Sequence, residues 1–177
     1  MATWSSRGLR GSRLEELINI TNEQYRRLKL ALVQKIPTPI KPVEIDDERH
    51  ITLAYFEQRS TVDYIGAVQG YPVCFDAKEC AGDTFALSNV HEHQFTFMKD
   101  FEAQGGVAFL LISFTARDQI YYMRFSELER FYNRAEEGSV KHIKIEETDP
   151  DYFLVPQPGV PVHYLEGINR DIAEKER

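Results

Sequence analysis

Apolar positions near the start of the chain recur every three to four residues, which predicts an amphipathic helix that begins after Ser12. A second helix is predicted over about residues 91–104, because two glycines beginning at Gly105 follow it. A third helix, over residues 126–137, ends at Gly138. The apolar positions of the first helix are Leu14, Leu17, Ile18, Tyr25 and Leu28.

Short apolar runs without a helical period predict β-strands. The run "VAFLLISF" at residues 107–114 is continuous, which is typical of a central strand covered on both faces. Residues 43–56 hold two apolar segments around the polar "DDERH", so we expect a hairpin with a solvated tip, part of a protruding stalk over about residues 37–59. The order of elements predicts an α/β fold in which helices flank a central mixed sheet.

The stretch "STVDYIGAVQGYPVCFDAKEC", residues 60–80, predicts two strands around a glycine turn. Side chains alternate along a strand, so Asp76 and Lys78 share one face of the second strand, and the turn brings Asp63 of the first strand close to Asp76. Two neighbouring carboxylates in a low dielectric repel each other unless a cation lies between them. Hard oxygen ligands suit Mg²⁺, with Mn²⁺ as a substitute.

Lys78 gives this group a possible chemistry. An ammonium beside a metal-bound water stabilises its hydroxide form and the charge that develops on an attacked phosphate. A metal, a water and a cation at one phosphate are the parts of a phosphodiester hydrolase. The alternative is that Lys78 merely forms a salt bridge that satisfies an aspartate in the sheet, and the short pattern alone leaves both interpretations open.

Composition and charge limit the partners and the cellular location that the protein can have. The 177 residues carry a net charge of −7, which disfavours nucleic acid as a partner, yet residues 1–43 contain eight basic and three acidic side chains. The flexible basic arm, residues 1–11, either faces phosphates or is only solvated. No apolar run approaches the roughly 20 residues that cross a bilayer, so we expect no membrane partner. Cys74 and Cys80 are the only cysteines, which favours a reduced, cytoplasmic protein.

The length of the chain is typical of one domain. We expect that domain over residues 12–150, including the stalk, followed by an irregular, proline-broken tail over residues 151–177.

The stretch at residues 60–80, followed by "FALSNVHEHQ", resembles the central region of the RecU family of bacterial Holliday-junction resolvases. That family belongs to the PD-(D/E)xK nuclease superfamily and has a restriction-endonuclease-like fold. The resemblance extends through "LEELINITNEQY" and "KIPTPIKP" upstream and "GGVAFLLISF" downstream, about residues 11–145. It implies a metal-dependent, structure-selective endonuclease that resolves four-way DNA junctions by paired symmetric nicks in recombination and repair.

The resemblance also implies roles for individual residues. Asp63 and Asp76 would be metal ligands, and Lys78 the catalytic lysine. Glu15 matches the acidic helix residue that completes the metal site, with Glu16 as the alternative.

Two further polar residues match the family pattern. Thr61 is expected at the metal, and Gln94 is expected to assist catalysis through hydrogen bonds.

In this family the hairpin is a stalk that enters the opening at the centre of a four-way junction. A homodimer is expected, because two opposed nicks require two active sites. By resemblance, a RecA-like recombinase and branch-migration proteins are possible partners. The side chains expected to contact DNA phosphates are Lys35, Lys41, Arg49 and Arg59, together with Arg10 and Arg13 near the arm.

Two departures and three alternatives accompany this interpretation. Asp76 stands where family members often carry glutamate, and the stalk tip "EIDDER" is acidic, which is awkward for an element that enters DNA. Another endonuclease of the same superfamily, of restriction or repair type, is one alternative, and a non-catalytic binding module on the same fold is a second. A zinc site is the third, but its spacing fits no compact zinc motif. Its candidate ligands are Cys74, Cys80, His91 and His93.

Overall fold

A six-stranded sheet forms the centre of the protein in a computed structural model that describes residues 12–37, 39–56, 61–138 and 140–176. The helices are α1 (Arg13–Arg27), α2 (Glu92–Ala103), α3 (Phe125–Glu136) and α4 (Tyr164–Lys175). The strands are β1 (Ala31–Lys35), β2 (Ile40–Ile45), β3 (Ile51–Phe56), β4 (Tyr64–Val68), β5 (Tyr71–Cys80), β6 (Thr84–Ala86), β7 (Val107–Phe114), β8 (Gln119–Arg124), β9 (His142–Lys144) and β10 (Phe153–Leu154). Single turns of 3₁₀-helix lie at Leu87–Asn89, Ile145–Glu147 and Pro150–Tyr152.

The central sheet is mixed. Its strand order is β1-β4-β5-β7-β8-β10, with β5 and β7 parallel and the remaining neighbours antiparallel. Strand β7 lies inside the sheet and is almost wholly buried, which explains why its sequence is continuously apolar. These elements confirm the predicted α/β fold, with a central mixed sheet, flanking helices and a separate hairpin.

The helices cover the sheet on two faces. Phe75 of β5 stacks on Phe109 of β7 and contacts Tyr164 of α4, so α4 lies on one face. The next residue of β5, Asp76, points to the other face and meets Gln94 of α2. This alternation places an apolar core on one side of β5 and polar chemistry on the other. None of the helices over the described residues combines the length and the apolar character needed to span a membrane.

Strands β2 and β3 form a hairpin apart from the central sheet, which confirms the predicted stalk hairpin. Ile40 pairs with Phe56 at its base and Ile45 with Ile51 near its tip. Asp46 closes the tip, because its Oδ1 accepts hydrogen bonds from the backbone N–H groups of Glu48 and His50. Its described side chains are exposed, including apolar ones such as Ile45 at 61%.

The C-terminal segment departs from the predicted irregular tail. Strand β10 pairs with β8, and α4 follows it. Tyr164, Leu165 and Ile168 are buried in the core, and their spacing is that of one helical face. The prediction of an irregular tail over residues 151–177 was therefore wrong, because this face buries enough apolar surface to hold a helix against the sheet.

Gly167 allows α4 to approach β8 closely. A Cβ at this position would lie 2.5 Å from ring atoms of Tyr122, which is fully buried and donates a hydrogen bond to Asp171 of α4. We expect Gly167→Ala to lower the free energy of unfolding by about 1–3 kcal/mol, because neither the ring nor the helix has space to move. Urea denaturation measures this change.

Gly82→Ala is the matched control for that variant. Nothing lies within 4 Å of a Cβ built at Gly82, so the free energy of unfolding should change by less than about 0.5 kcal/mol. An equal effect of the two substitutions would contradict the close approach of α4 to β8.

Candidate active site

The β4–β5 hairpin brings two aspartates together just before β4 and within β5. Tyr64 pairs with Phe75 in this antiparallel hairpin. Asp63, the residue before Tyr64, and Asp76, the residue after Phe75, therefore lie beside each other. The backbone N–H of Asp63 donates to Asp76 Oδ1 at 3.0 Å, and the N–H of Ala77 donates to Asp63 Oδ2 at 3.0 Å. The structure thus contains the carboxylate pair that the sequence pattern predicted.

Lys78 and Gln94 complete a polar network around Asp76. Asp76 is fully buried, and the Lys78 ammonium forms an ion pair with its Oδ2. Gln94 Nε2 donates to Asp76 Oδ1 at 3.1 Å, while Gln94 Oε1 accepts from Lys78 Nζ at 3.3 Å. Gln94 also accepts a hydrogen bond from the N–H of His91, which fixes the first turn of α2. The side-chain amide of Gln94 therefore fixes the positions of Asp76, Lys78 and the first turn of α2 relative to one another.

The acidity of Asp63 reflects this crowding. Its pKa is raised to about 6, first because burial disfavours the charged form and then because Asp76 lies beside it. The N–H of Ala77 and the charge of Lys78 act in the opposite direction and are outweighed. A carboxyl pair with this property is stabilised by any additional positive charge placed between its members.

The donor set fits a hard divalent cation. Asp76 Oδ2 contacts the Lys78 ammonium at ion-pair distance, but within the described residues it has no hydrogen-bond donor in acceptable geometry. A buried carboxylate oxygen with an unused lone pair, beside a second carboxylate, is a suitable ligand for Mg²⁺ or Mn²⁺. Among the described residues no three His, Cys, Asp or Glu side chains converge, so water and phosphate oxygens would supply the remaining ligands.

Glu15 lies at the start of α1, near enough to Tyr64 to act electrostatically on it together with Asp63 and Asp76. Its carboxylate closes a capping box with Ser12 at the start of α1 and forms an ion pair with Lys35 at 2.9 Å. Among the described residues it does not form a three-carboxylate group with Asp63 and Asp76. The alternative residue, Glu16, is exposed on α1. The role of a helix glutamate as a further metal ligand stays a prediction.

The remaining predicted residues fall at the edges of the site. Thr61 lies two positions before Asp63 and lines a groove with His91 and His93, and its role at the metal stays a prediction. Cys74 and Cys80, two of the candidate zinc ligands, are buried free thiols. The Cys80 Sγ–H lies within hydrogen-bond distance of two backbone carbonyl oxygens, those of Gly82 and Thr84.

The predicted DNA-contacting residues are spread over the surface. Lys35 lies at the end of β1, Lys41 is exposed on β2, and Arg49 is exposed at the hairpin tip. Arg13 is exposed at the start of α1 and forms a weak ion pair with Asp118 at 3.7 Å. Arg10 and Arg59 lie outside the described residues, as does the basic arm over residues 1–11.

Glu79 is a contributor that the sequence analysis missed. It follows Lys78 on β5, and its Oε1 accepts the N–H of Leu14 in the first turn of α1 at 3.0 Å. This contact joins the start of α1 to the strand that carries Asp76 and Lys78. The available signal was the alternation of β5, which places Glu79 on the face opposite Asp76 and Lys78, beside a helix N-terminus that favours an anion.

Divalent-cation binding should weaken as the pH falls below about 6, because Asp63 must lose its proton to bind the ion. A raised folded-state pKa means that the metal-free protein is stabilised at low pH and loses that stability as the pH rises through about 6. Mg²⁺ should therefore raise the melting temperature more at about pH 7.5 than at about pH 5. Calorimetric titration with Mn²⁺ across this range measures the affinity directly.

Asp63→Asn is the control for this pH dependence. The amide does not titrate, so the variant should bind the cation weakly at every pH and lose the slope near pH 6. Equal metal affinity of the unaltered protein at about pH 5 and about pH 7.5 would contradict a role for Asp63 as a ligand.

The chain is similar in sequence to a known protein family over most of its length. A family model described as "RecU: Recombination protein U" matches residues 9–170. The chain is 36% identical over 174 residues to the Holliday junction resolvase RecU of Staphylococcus carnosus (strain TM300), covering 95% of this chain and 84% of that protein. It is 39% identical over 169 residues to the Holliday junction resolvase RecU of Lactococcus lactis subsp. lactis (strain IL1403), covering 92% of this chain and 78% of that protein. Among solved structures, it is similar to the Holliday junction resolvase Hjc of Archaeoglobus fulgidus, with a TM-score of 0.49 and 10% sequence identity over 89% of this chain and 95% of that chain.

Proposed function

This chain belongs to the RecU family, and we propose that it is a Holliday junction resolving endonuclease that depends on Mg²⁺, with Mn²⁺ as a substitute. Its substrate is a four-way DNA junction, in which it cuts two symmetric strands during recombination and repair. The observation that carries the proposal is the convergence of Asp63, Asp76, Lys78 and Gln94 on one face of the sheet.

Asp63 and Asp76 would hold the divalent cation, which when bound polarises a phosphate oxygen and makes a coordinated water more acidic. The protein supplies the remaining requirements. Lys78 has 19% of its side chain exposed, so its ammonium borders solvent while it remains anchored at Asp76. There it stabilises the negative charge that develops on an attacked phosphate.

Gln94 acts as a positioning residue in this scheme. Because it contacts both Asp76 and Lys78, it fixes the separation of acid and cation before DNA arrives. A side chain that is prearranged in this way needs no reorganisation during the reaction. Glu15, or Glu16 in its place, stays a proposed further ligand of the cation.

Resolution of a four-way junction requires two active sites, because two strands must be cut. One chain provides one carboxylate pair, and two opposed nicks need two, so we propose a homodimer with a twofold axis. The hairpin β2–β3 would enter the junction, with Lys41 and Arg49 near phosphates and Lys35 at its base. Affinity that depends on such contacts falls with salt. A cytoplasmic location, and contact with a recombinase or branch-migration proteins, are further parts of the proposal.

The decisive experiment incubates the purified protein with mobile and immobile four-way junctions, linear duplex and flaps, each with Mg²⁺, Mn²⁺ or EDTA. We expect paired symmetric nicks in the junctions with either metal and none with EDTA. Equal cutting of linear duplex would favour a restriction-type or repair-type endonuclease instead. Junction binding without cutting under all metal conditions would favour a non-catalytic module.

A further inference from the structure

Lys35 lies at the corner of the sheet where the end of β1, the start of β4 and the start of α1 meet. It pairs with Tyr64 of β4 in the sheet register, and Tyr64 directly follows Asp63. The next residue along the chain, Ile36, donates its backbone N–H to the carbonyl oxygen of Asp63 at 2.8 Å. The end of β1 is therefore fixed beside the segment that carries the first aspartate of the candidate active site.

The ammonium of Lys35 forms an ion pair with Glu15 in the first turn of α1. Its Nζ lies 2.9 Å from Glu15 Oε2, the same oxygen that accepts the backbone N–H of Ser12 at 3.2 Å. The Lys35 side chain is 42% exposed, whereas the Glu15 side chain is 21% exposed. The lysine is therefore the partner that an incoming anion can reach.

Glu15 belongs to the electrostatic surroundings of the aspartate pair. Burial raises the pKa of Tyr64, and the charges of Glu15, Asp63 and Asp76 raise it further. All three carboxylates therefore act on one side chain of β4, although among the described residues they form no three-carboxylate metal cluster. A change in the net charge at Glu15 changes the electrostatic potential at the aspartate pair.

The charges at this corner leave little net attraction for a divalent cation. Lys78 pairs with Asp76. Lys35 pairs with Glu15, and Asp63 has no ion pair within the part of the chain that the structure describes. When all five groups are ionised, three carboxylates and two ammonium groups leave one net negative charge. A divalent cation is better matched when another anion takes up one of the two ammonium groups.

A DNA phosphate is an anion that can take up the ammonium of Lys35. The lysine stands at the base of the hairpin, whose first strand begins at Ile40. A junction that receives this hairpin brings phosphates to its base. A partly exposed ion pair contributes little stability, so a phosphate can replace Glu15 at small cost.

We propose that Lys35 couples DNA binding to cation binding. In the DNA-free protein its ammonium neutralises Glu15, and a junction phosphate that takes up the ammonium returns the negative charge of Glu15 to the cation site. Lys35 is a positioning residue in this scheme, because it acts on the cation through Glu15. The inference rests on the proposed function, in which Lys35 lies near DNA phosphates.

The first test needs no DNA. In calorimetric titration with Mn²⁺ at neutral pH, Lys35→Met should bind the cation about threefold more tightly than the unaltered protein, because Glu15 is no longer neutralised. Lys35→Arg should keep the original affinity, since a guanidinium also pairs with a carboxylate. The control Lys99→Met removes an ion pair of similar length, 3.0 Å to Glu129, and should leave the affinity unchanged.

A double variant assigns the gain to Glu15. In Lys35→Met, Glu15→Gln the increase in Mn²⁺ affinity should disappear, because both charges of the pair are removed. Glutamine also closes a capping box, so α1 should stay folded. Circular dichroism checks this for each variant.

The second test measures the coupling itself. Junction affinity is determined by fluorescence anisotropy without divalent cation and with Ca²⁺, and denaturing gels check that the DNA stays intact. Coupling between two ligands is reciprocal, so Ca²⁺ should raise the junction affinity of the unaltered protein by about tenfold. For Lys35→Met the gain should be about threefold or less.

Three outcomes would overturn the inference. These are an Mn²⁺ affinity of Lys35→Met no greater than that of the unaltered protein, an equal change in Lys99→Met, and a gain with Ca²⁺ that the loss of Lys35 leaves intact. Failure of the unaltered protein to bind or cut any junction would instead overturn the proposed function. The titrations without DNA are independent of that result, so the two failures are distinguishable.

Discussion

Asp76→Asn is expected to lower the single-turnover rate of junction cleavage by about 1,000-fold or more, equivalent to roughly 4 kcal/mol of lost transition-state stabilisation. Asparagine keeps the size of the side chain and an oxygen that accepts the N–H of Asp63, so the hairpin should remain folded. What is lost is the charge that, with Asp63, attracts a divalent cation. Calorimetric titration should show a matching loss of Mn²⁺ binding.

Junction binding should survive this substitution, because the proposed phosphate contacts lie on the hairpin and its base. Gel-shift titration without divalent metal should give affinities within about threefold of the unaltered protein. Asp118→Asn, in an exposed turn, is the control and should cut normally. A variant that retains a tenth of the cleavage rate would show that Asp76 is not a metal ligand.

Lys78→Met is expected to separate metal binding from catalysis. The rate of strand cleavage should fall by about 100- to 1,000-fold, because a fixed positive charge next to the attacked phosphate is removed. Metal affinity should stay the same or rise, since the ammonium occupies Asp76 Oδ2, the oxygen that a cation would use. Single-turnover kinetics and Mn²⁺ titration on the same preparation measure both effects.

A merely structural salt bridge predicts a different result. In that case Lys78→Met would leave a buried, unpaired carboxylate, lower the melting temperature and change cleavage no more than stability. Lys99→Met, which removes an exposed partner of Glu129 on α3, is the matched control. Its cleavage rate should be unchanged.

Local patterns predicted the centre of this site well. The alternation along β5 places Asp76 and Lys78 on one face, and the glycine turn returns Asp63 to them. Both features depend on strand geometry, which the sequence pattern carries directly. The role of Gln94 as a bridge between acid and cation could be expected only in general terms, because it requires α2 to pack at one particular depth on β5.

Longer-range relations were harder to predict. The motif Ser12-x-x-Glu15 is a capping box, and this local signal competes with the assignment of Glu15 to the metal. The C-terminal helix was missed because prolines precede it and its exposed face is charged, although Tyr164, Leu165 and Ile168 carry the helical period. For this helix a correct local signal was present, but the strand on which it packs, β8, lies far away in sequence.

The pairing of β5 with β7 has a consequence for how the enzyme becomes active during synthesis. Asp63 and Asp76 meet inside a local hairpin, but the parallel partner of β5 begins only at Val107, after α2. Contacts between distant segments form slowly because a long loop must close first. A chain still emerging from the ribosome therefore carries both acids while they remain hydrated, and the dry surroundings that arrange them arise only when the downstream strand docks. On the proposed function, we therefore expect a chain that ends before β7 to lack the arranged pair of acids.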